Sequence, residues 1–400
     1  MRSLLKRIPA IERLNATLKA RLQEREAATS LRSYRERAAA GGIECPEGEA
    51  LATAVRARLA RRRGGRPAGA KGEMHLFIAY GVYNWERVLP TALAPFGRVS
   101  AFDWRARGFD EFAPDWLIHR DDMNRAMLDA FRAAHREQPV DAVVAYVSGN
   151  NTSPQALAEM AGAGAAVFNF CWDDKINFPG HMSGGRYTSP AAIAGAVDLN
   201  LTNAPDSVVK YAVHGGLAMF WPEAAYPPVH RPYDAPFEFD VTFVGARYGW
   251  RPQFIDELAG EGIKVECFGR GWPNGPLSDE EMVRLYSRSR INLGVGGVGH
   301  SRKLLCIKGR DFEVPMSGGL YLTQHNPELS FVFEIGREIM TYRSAADCAA
   351  TVHELLADPA RAAEIRRAAR ARSLRDHTYE SRWTQAFGMA GLMDVVPGAQ

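Results

Sequence analysis

The sequence predicts an α/β protein built from two doubly wound, parallel-sheet domains. Apolar runs alternate with helical stretches from Met74 onward, and a second such series begins at Phe239. Between them lies AYPPVHRPYDAPFE (225–238), with four prolines and few aliphatic residues. Continuous apolar strands separated by helices imply parallel sheets covered on both faces, because each crossover lays a helix on the sheet. A proline-rich stretch of that composition reads as the linker between them.

Residues 1–40 read as one helix, with Leu4, Ile8, Ile11, Leu18 and Leu22 at three- and four-residue steps on one stripe. Gly41-Gly42 ends it, a second helix runs roughly from Glu47 to Arg63, and GGRPAGAKG is a linker by composition. HLFIAY is then a buried strand, followed by Gly81 and a helix near Trp85–Ala94. VSAFDW, a helix Asp121–Glu137 and the strand DAVVAYVSG come next. Ser153-Pro154 opens a helix, the serine as cap and the proline where its missing N–H costs nothing. AVFNFCWDD, a helical stretch near Ser189–Gly195, VDLNLTN, a proline-started helix 205–214 and LAMFWPEA complete this domain. The second series runs FDVTFVGA, a helix 251–261, KVECFGRG, a helix opened by Ser278-Asp279-Glu280-Glu281, and INLGVG. A strand LYL, the strand EIMTYR and two helices from Ser344 to about Asp376 follow. The expected divisions are therefore 1–73, a basic helical extension with its linker; 74–230 and 231–376, the two sheet domains; and 377–400, a segment crossing back to the first.

Composition narrows the function classes. Apolar and charged fractions of 46% and 24% are ordinary for a globular protein, and no apolar run approaches the ~18 residues of a membrane span. The first residues, MRSLLKRIPAIERLN, lack the apolar core of a secretion signal. Five cysteines are scattered singly with no CxxC pair, which points to reduced thiols in the cytoplasm. The net charge of +3 hides an asymmetry: residues 1–71 hold 17 Lys and Arg against 7 Asp and Glu, the remainder 32 against 39. The basic charge belongs to the N-terminal helices, which would contact anionic lipid at the inner face of the membrane or a second subunit through residues 1–63. A solvated helical hairpin packed on the body is the alternative. No nucleic acid is expected as a partner.

The stretch Gly294–Thr323, GVGGVGHSRKLLCIKGRDFEVPMSGGLYLT, carries the densest chemistry. Its glycines, Gly296 and Gly297 among them, let the backbone approach a ligand closely. His300 and the cations Arg302, Lys303, Lys308 and Arg310 follow, then the first turn of a helix with Glu313, stopped by Gly318-Gly319. Flexible loop, cations and helix N-terminus together suggest a cradle for a nucleotide diphosphate, with Glu313 on the ribose hydroxyls. Gly294, Gly296 and Gly299 also match the GxGxxG of dinucleotide-binding folds, but late in the chain rather than in the first βαβ unit. Arg247 and Arg251 after FDVTFVGA could clamp a phosphate, and Gly81 and Gly269 sit at strand ends. Asp173 and Asp174 at the end of AVFNFCW suit general-base work or sugar hydroxyls, and His181 in FPGHMSGGRY is a candidate base or polar contact. All of these follow strands, so all could face one cleft. No HxxxH or DxD pattern supports a metal, and no GxSxG elbow a serine hydrolase.

The run IKGRDFEVPMSGGLYLTQHNPELSFVFEIGREIMTYRS, with DPARAAEIRRAARARSLRDHTYESRW, resembles the C-terminal domain of CgeB-type (spore-maturation-protein-like) glycosyltransferases, relatives of the group 1 GT-B enzymes. WDD and WPEAAYP resemble their N-terminal half, so the likeness spans about 74–385 and leaves 1–70 outside. It implies a GT-B fold of two Rossmann-like domains facing a cleft, the nucleotide on the C-terminal domain and the acceptor on the N-terminal one. It further implies transfer from a nucleotide-diphosphate sugar to a glycan, lipid or protein, without metal or other cofactor and with retention. Glu313 stands where the family's ribose-binding glutamate stands. The family's first glutamate, with seven residues between it and the second, falls on Leu305, which is not acidic. Two rivals stay open: a non-catalytic GT-B-like nucleotide- or glycan-binding protein, and a nucleotide-dependent oxidoreductase.

Overall fold

A computed structural model describes residues 9–63, 70–83 and 85–393, with only the backbone of 9–14 and Trp85. Two helices lead, α1 (Pro9–Ala40) and α2 (Gly48–Arg63). The first sheet series is β1 (Met74–Tyr80), α3 (Leu89–Leu93), β2 (Gly97–Asp103), α4 (Trp116–Glu137), β3 (Ala142–Ala145), α5 (Pro154–Gly162), β4 (Ala166–Cys171) and α6 (Asp174–Asn177). A two-stranded hairpin, β5 (Met182–Ser183) with β6 (Arg186–Tyr187), precedes β7 (Leu199–Thr202), α7 (Val208–Val213) and β8 (Ala218–Phe220). The second series is β9 (Phe239–Val244), α8 (Arg251–Gly260), β10 (Glu266–Phe268), α9 (Asp279–Arg288), β11 (Ser289–Leu293), α10 (Arg310–Met316), β12 (Tyr321–Gln324) and β13 (Met340–Tyr342). It closes with α11 (Ala345–Ala357), α12 (Pro359–Asp376) and α13 (Tyr379–Met389).

The first sheet is ordered β2-β1-β3-β4-β7-β8 and the second β10-β9-β11-β12-β13, with every pairing within them parallel. Each order reverses beside its first strand, which opens a crevice at the carboxyl ends of β1 and β3 in one sheet and of β9 and β11 in the other. Every residue of β1 is buried, as a strand covered on both faces requires. Local signals behave as their chemistry dictates: Ser153 caps α5 through the N–H of Ala156, and Ser278 with Glu281 forms a reciprocal capping box at α9. Helix α4 begins at Trp116, a turn before the predicted Asp121, because Trp116 buries and its indole donates to the Asn150 carbonyl at 2.8 Å.

The chain divides into two compact units: Met1–Ala28 with Glu223–Thr378, and Thr29–Pro222 with Tyr379–Gln400. The sheet of the first is packed around Phe243, Phe254, Ile291, Leu293 and Leu322. In the second, α13 stacks Trp383 on Trp221 at 4.7 Å, and the Trp221 indole donates to the Arg382 carbonyl.

The N-terminal helices differ from the expected extension. Leu51, Ala52, Val55 and Leu59 of α2 are buried, and Arg58, Arg62 and Arg63 turn inward while Arg56 and Arg61 stay exposed. Arg58 donates to the Val197 carbonyl, Arg62 pairs with Asp198, and Arg63 reaches the carbonyl and carboxylate of Asp141. Asp141 and Asp198 stand just before β3 and β7, so α2 secures the amino ends of that sheet. The charge of these three arginines is spent inside the unit. On α1, Tyr34 is buried against Phe178, while Leu18 and Leu22 are exposed. Among the described residues no helix is long and apolar enough to cross a membrane. Leu4 and Ile8 of the predicted stripe lie outside the described residues.

Candidate functional site

At the crevice of the second sheet, β9 ends in Gly245 and α8 begins with Arg251, while α10, reached from β11, begins with Arg310. A Cβ at Gly245 would lie 3.2 Å from Arg310 Nη1 and 3.3 Å from Arg251 Nη1. Two guanidinium groups thus converge on a strand end whose glycine leaves room for them. Neither makes an ion pair among the described residues, and Arg310 Nε is buried without a hydrogen-bond partner. Arg251 is buried, donates to the Ala246 carbonyl at 3.0 Å, and has its pKa lowered to about 10 by burial and then by the charge of Arg310. Like charges held together with no ion pair, Glu313 and Asp311 acting on Arg310 only at longer range, are an arrangement suited to an anion. Gly269, at the end of β10, would bring a Cβ within 2.5 Å of the Gly245 carbonyl, and the Trp272 indole donates to the same oxygen at 2.8 Å. Exposed Arg247 lies over the Trp272 ring at 5.5 Å.

The start of α10 is fixed by Asp311, which accepts from the Lys308 N–H at 2.8 Å and from the Tyr321 hydroxyl at 2.7 Å. Lys308 therefore contributes its backbone to the helix start. Half-buried Glu313 lies one turn in, and a Cβ at Gly309 would stand 3.1 Å from its carboxylate and 2.5 Å from that of Glu223. Two carboxylates flank this turn where the sequence reading found one. The WPEAAYP run before the linker was the available signal for Glu223. Gly318, at φ +75°, ends the helix, and a Cβ at Gly319 would meet Asn292 at 2.7 Å. Both are packing positions rather than ligand contacts.

The glycine-rich stretch itself is not an open cradle. A Cβ at Gly294 would strike the Tyr321 hydroxyl at 2.1 Å, and one at Gly297 the Trp250 indole at 2.6 Å. Gly297 N donates to Gln324, and the Gly296 carbonyl accepts from Cys306 N, folding the stretch back on itself. These glycines admit neighbouring aromatic rings, and no helix opens directly after them, so the GxGxxG match has a packing cause. His300 donates its N–H to Gln23 of α1. Arg302 is bound at both nitrogens by Glu257 at 2.8 and 2.9 Å and lies over Trp250, which removes it from the phosphate candidates. Lys303 is exposed.

In the other unit, a cavity of about 820 Å³ opens at the carboxyl ends of β1, β3 and β4. Gly81, Asp173 and His181 line it, together with Tyr83, Glu86, Glu111, Phe112 and Tyr146, which the sequence reading missed. Gly81 thus belongs here and not with the donor candidates; a Cβ there would strike Trp104 at 2.6 Å. Asp173 is exposed at the head of α6, and His181 contacts Thr188 through its ring at 3.3 Å. Asp174 has a different fate. It is fully buried, accepts from Thr202 at 3.0 Å and Tyr211 at 2.6 Å, and is not on the cavity wall. Burial, partly offset by those two bonds and the charge of Lys210, raises its pKa to about 6. Asp174 is an anchor for the β4–α6 corner and is withdrawn as a catalytic candidate. Among the described residues no group of three or more His, Cys, Asp or Glu could hold a metal ion.

Residues 251–388 match the family model described as "Glycosyl transferase-like". Comparison with curated proteins gave no match. Among solved structures, the chain is similar to sucrose-phosphate synthase of Thermosynechococcus elongatus at 13% identity and a TM-score of 0.54, over 78% of this chain and 97% of that one. It is also similar to HepE of Anabaena in complex with UDP, at 14% identity and a TM-score of 0.53, over 78% and 98%. The fold is GT-B. In GT-B terms, the arginine pair and the carboxylates at α10 lie in the unit that holds most of the matched region. The cavity with Asp173 lies in the unit built on the first sheet.

Proposed function

We propose that the chain is a CgeB-type, group 1 glycosyltransferase that moves a glycosyl group from a nucleoside-diphosphate sugar to an acceptor hydroxyl. The observation that carries this reading is the convergence of Arg251 and Arg310 on Gly245, neither held in an ion pair among the described residues. Two preorganised guanidiniums at a strand end suit a diphosphate, and they favour the leaving group most as it gains charge. In the reaction, the bond between the anomeric carbon and the diphosphate oxygen breaks and its electron pair departs with the nucleotide. The acceptor oxygen forms the new bond and gives its proton to Asp173, which also orients that hydroxyl. Glu313 binds the ribose. Arg251 and Arg310 supply the positive charge, so no metal is required; retention of configuration follows from the family likeness. All five cysteines are free, which fits a reducing, cytoplasmic setting.

UDP is the first nucleotide to try, since the HepE structure holds it. Calorimetric titration with UDP, GDP, ADP and TDP tests the reading: one diphosphate should bind, and binding and transfer should survive EDTA. Failure to bind any of them would favour a non-catalytic GT-B relative, for which the leucine at position 305 speaks. Activity lost on chelation and restored by Mg²⁺ or Mn²⁺ would overturn the metal-free part.

A further inference from the structure

Resting on the transferase reading, we propose that the acceptor is an uncharged saccharide seated in the cavity at the carboxyl ends of β1, β3 and β4. The cavity is large enough for a small-molecule ligand, at about 820 Å³. Its rim is aromatic: Tyr83 and Phe112 are 40% and 74% exposed, with ring centroids 5.4 Å apart. Exposed rings at a cavity mouth need an apolar partner surface, and the C–H faces of a sugar ring provide one. The Tyr83 ring is held in place, because its hydroxyl donates to Glu111 at 2.8 Å and the Arg105 guanidinium stacks on it at 4.1 Å.

Charge separates the acceptor classes. Glu86, Glu111 and Asp173 bring three carboxylates to the wall, and among the described residues no lysine or arginine lines it. Arg105 stacks on Tyr83; Arg186 of the neighbouring hairpin donates to the Gly149 carbonyl at 2.6 Å and lies near Arg120, its Nη2 unpartnered, but neither of these two lines the cavity. A phosphate entering this wall would meet like charge before any guanidinium, whereas hydroxyls find carboxylate acceptors and amide donors. The cavity therefore selects against phosphate-bearing lipids and acidic glycans.

Saturation-transfer NMR on the full chain without nucleotide tests this, using cellobiose, maltotriose and N-acetylchitobiose against glucose 6-phosphate and glucuronic acid. At least one neutral probe should bind, at least tenfold more tightly than the charged ones. Phe112→Ala, at an exposed position that should not disturb folding, should weaken that binding about three- to tenfold. Glu111→Gln with Asp173→Asn should narrow the discrimination against glucose 6-phosphate. Charged probes binding as tightly as neutral ones, no saccharide binding at all, or binding indifferent to Phe112→Ala would each overturn the proposal. Saccharide binding in a protein that takes no nucleotide would refute the transferase reading and leave this one standing.

Discussion

Arg302 and Arg310 belong to one basic stretch of sequence, yet the fold gives them opposite situations. Arg302 is gripped at both nitrogens by Glu257 and lies over Trp250, so its charge is answered within the protein. Arg310 meets Arg251 at Gly245 and makes no ion pair among the described residues; Glu313 and Asp311 act on it only at longer range, and its Nε is buried without a hydrogen-bond partner. The number of cations therefore says little about where an anion binds; the whereabouts of their counter-charges decides. The same contrast separates Asp173, exposed on a cavity wall, from Asp174, sealed beneath it.

The largest effect should follow removal of an unanswered charge. A charge-assisted hydrogen bond is worth about 1.5–3 kcal/mol, so Arg310→Ala or Arg251→Ala should each weaken nucleoside-diphosphate binding by about tenfold to a hundredfold. The loss should be greater at low salt, where attraction is least screened. Calorimetry on folded variants at two salt concentrations measures both. Full affinity in either variant would remove that arginine from the site.

The second pair gives two separable effects. Asp173→Asn should leave nucleotide affinity intact and lower single-turnover transfer by about two orders of magnitude, the usual range for losing an acid–base group. Asp174→Asn should act on stability instead. The folded carboxyl has a pKa of about 6 against an ordinary 3.8, so the folded state holds its proton where the unfolded chain has lost it. Asp174 thus favours folding least at high pH. As pH rises from about 4 to 6, wild type should lose on the order of 2–3 kcal/mol relative to Asp174→Asn, with a flat difference above that window. Denaturant unfolding of both proteins across pH 4 to 8 reads this directly, and parallel pH profiles would contradict the buried setting of Asp174.

How far the sequence showed these sites depends on what kind of signal each leaves. The two sheets and the caps at Ser153 and Ser278 were legible because period and capping chemistry are local properties. Glycine clusters were misleading: at Gly294 and Gly297 the missing side chain makes room for Tyr321 and Trp250, contacts with no local trace. Counter-charges are equally non-local. Nothing near Arg302 announces Glu257, nothing in WPEAAYP announces that Glu223 reaches Gly309, and the inward turn of the α2 arginines depends on Asp141 and Asp198. Adjacent acids such as Asp173 and Asp174 look alike in sequence, and only the corner between β4 and α6 tells them apart.

Glu313→Ala should have a smaller effect than the arginine variants, about tenfold on nucleotide-diphosphate affinity, the lower end of what a carboxylate hydrogen bond contributes. Because the bond would go to ribose hydroxyls, the loss should disappear when a 2′,3′-dideoxynucleotide replaces the ribonucleotide in the titration. A loss of equal size with both nucleotides would place Glu313 elsewhere than on the ribose.

Arg302→Ala should do least, and for that reason it bears hardest on the comparison. Its ion pair with Glu257 is about one-third exposed on each side, so solvent screens it, and its removal should cost about 1 kcal/mol of stability or less. The stacking on buried Trp250 adds a contribution of about 1 kcal/mol. Nucleotide affinity should not change, because the guanidinium that is removed was already answered by a carboxylate. The informative partner is Glu257→Gln, which frees Arg302 without removing it. If counter-charge decides which cations bind the diphosphate, this variant should leave affinity unchanged or raise it slightly, and any gain should vanish in the double variant Glu257→Gln with Arg302→Ala. Should Arg302→Ala weaken nucleotide binding as severely as Arg310→Ala, the distinction between answered and unanswered charges fails, and the glycine-rich stretch returns as the phosphate cradle.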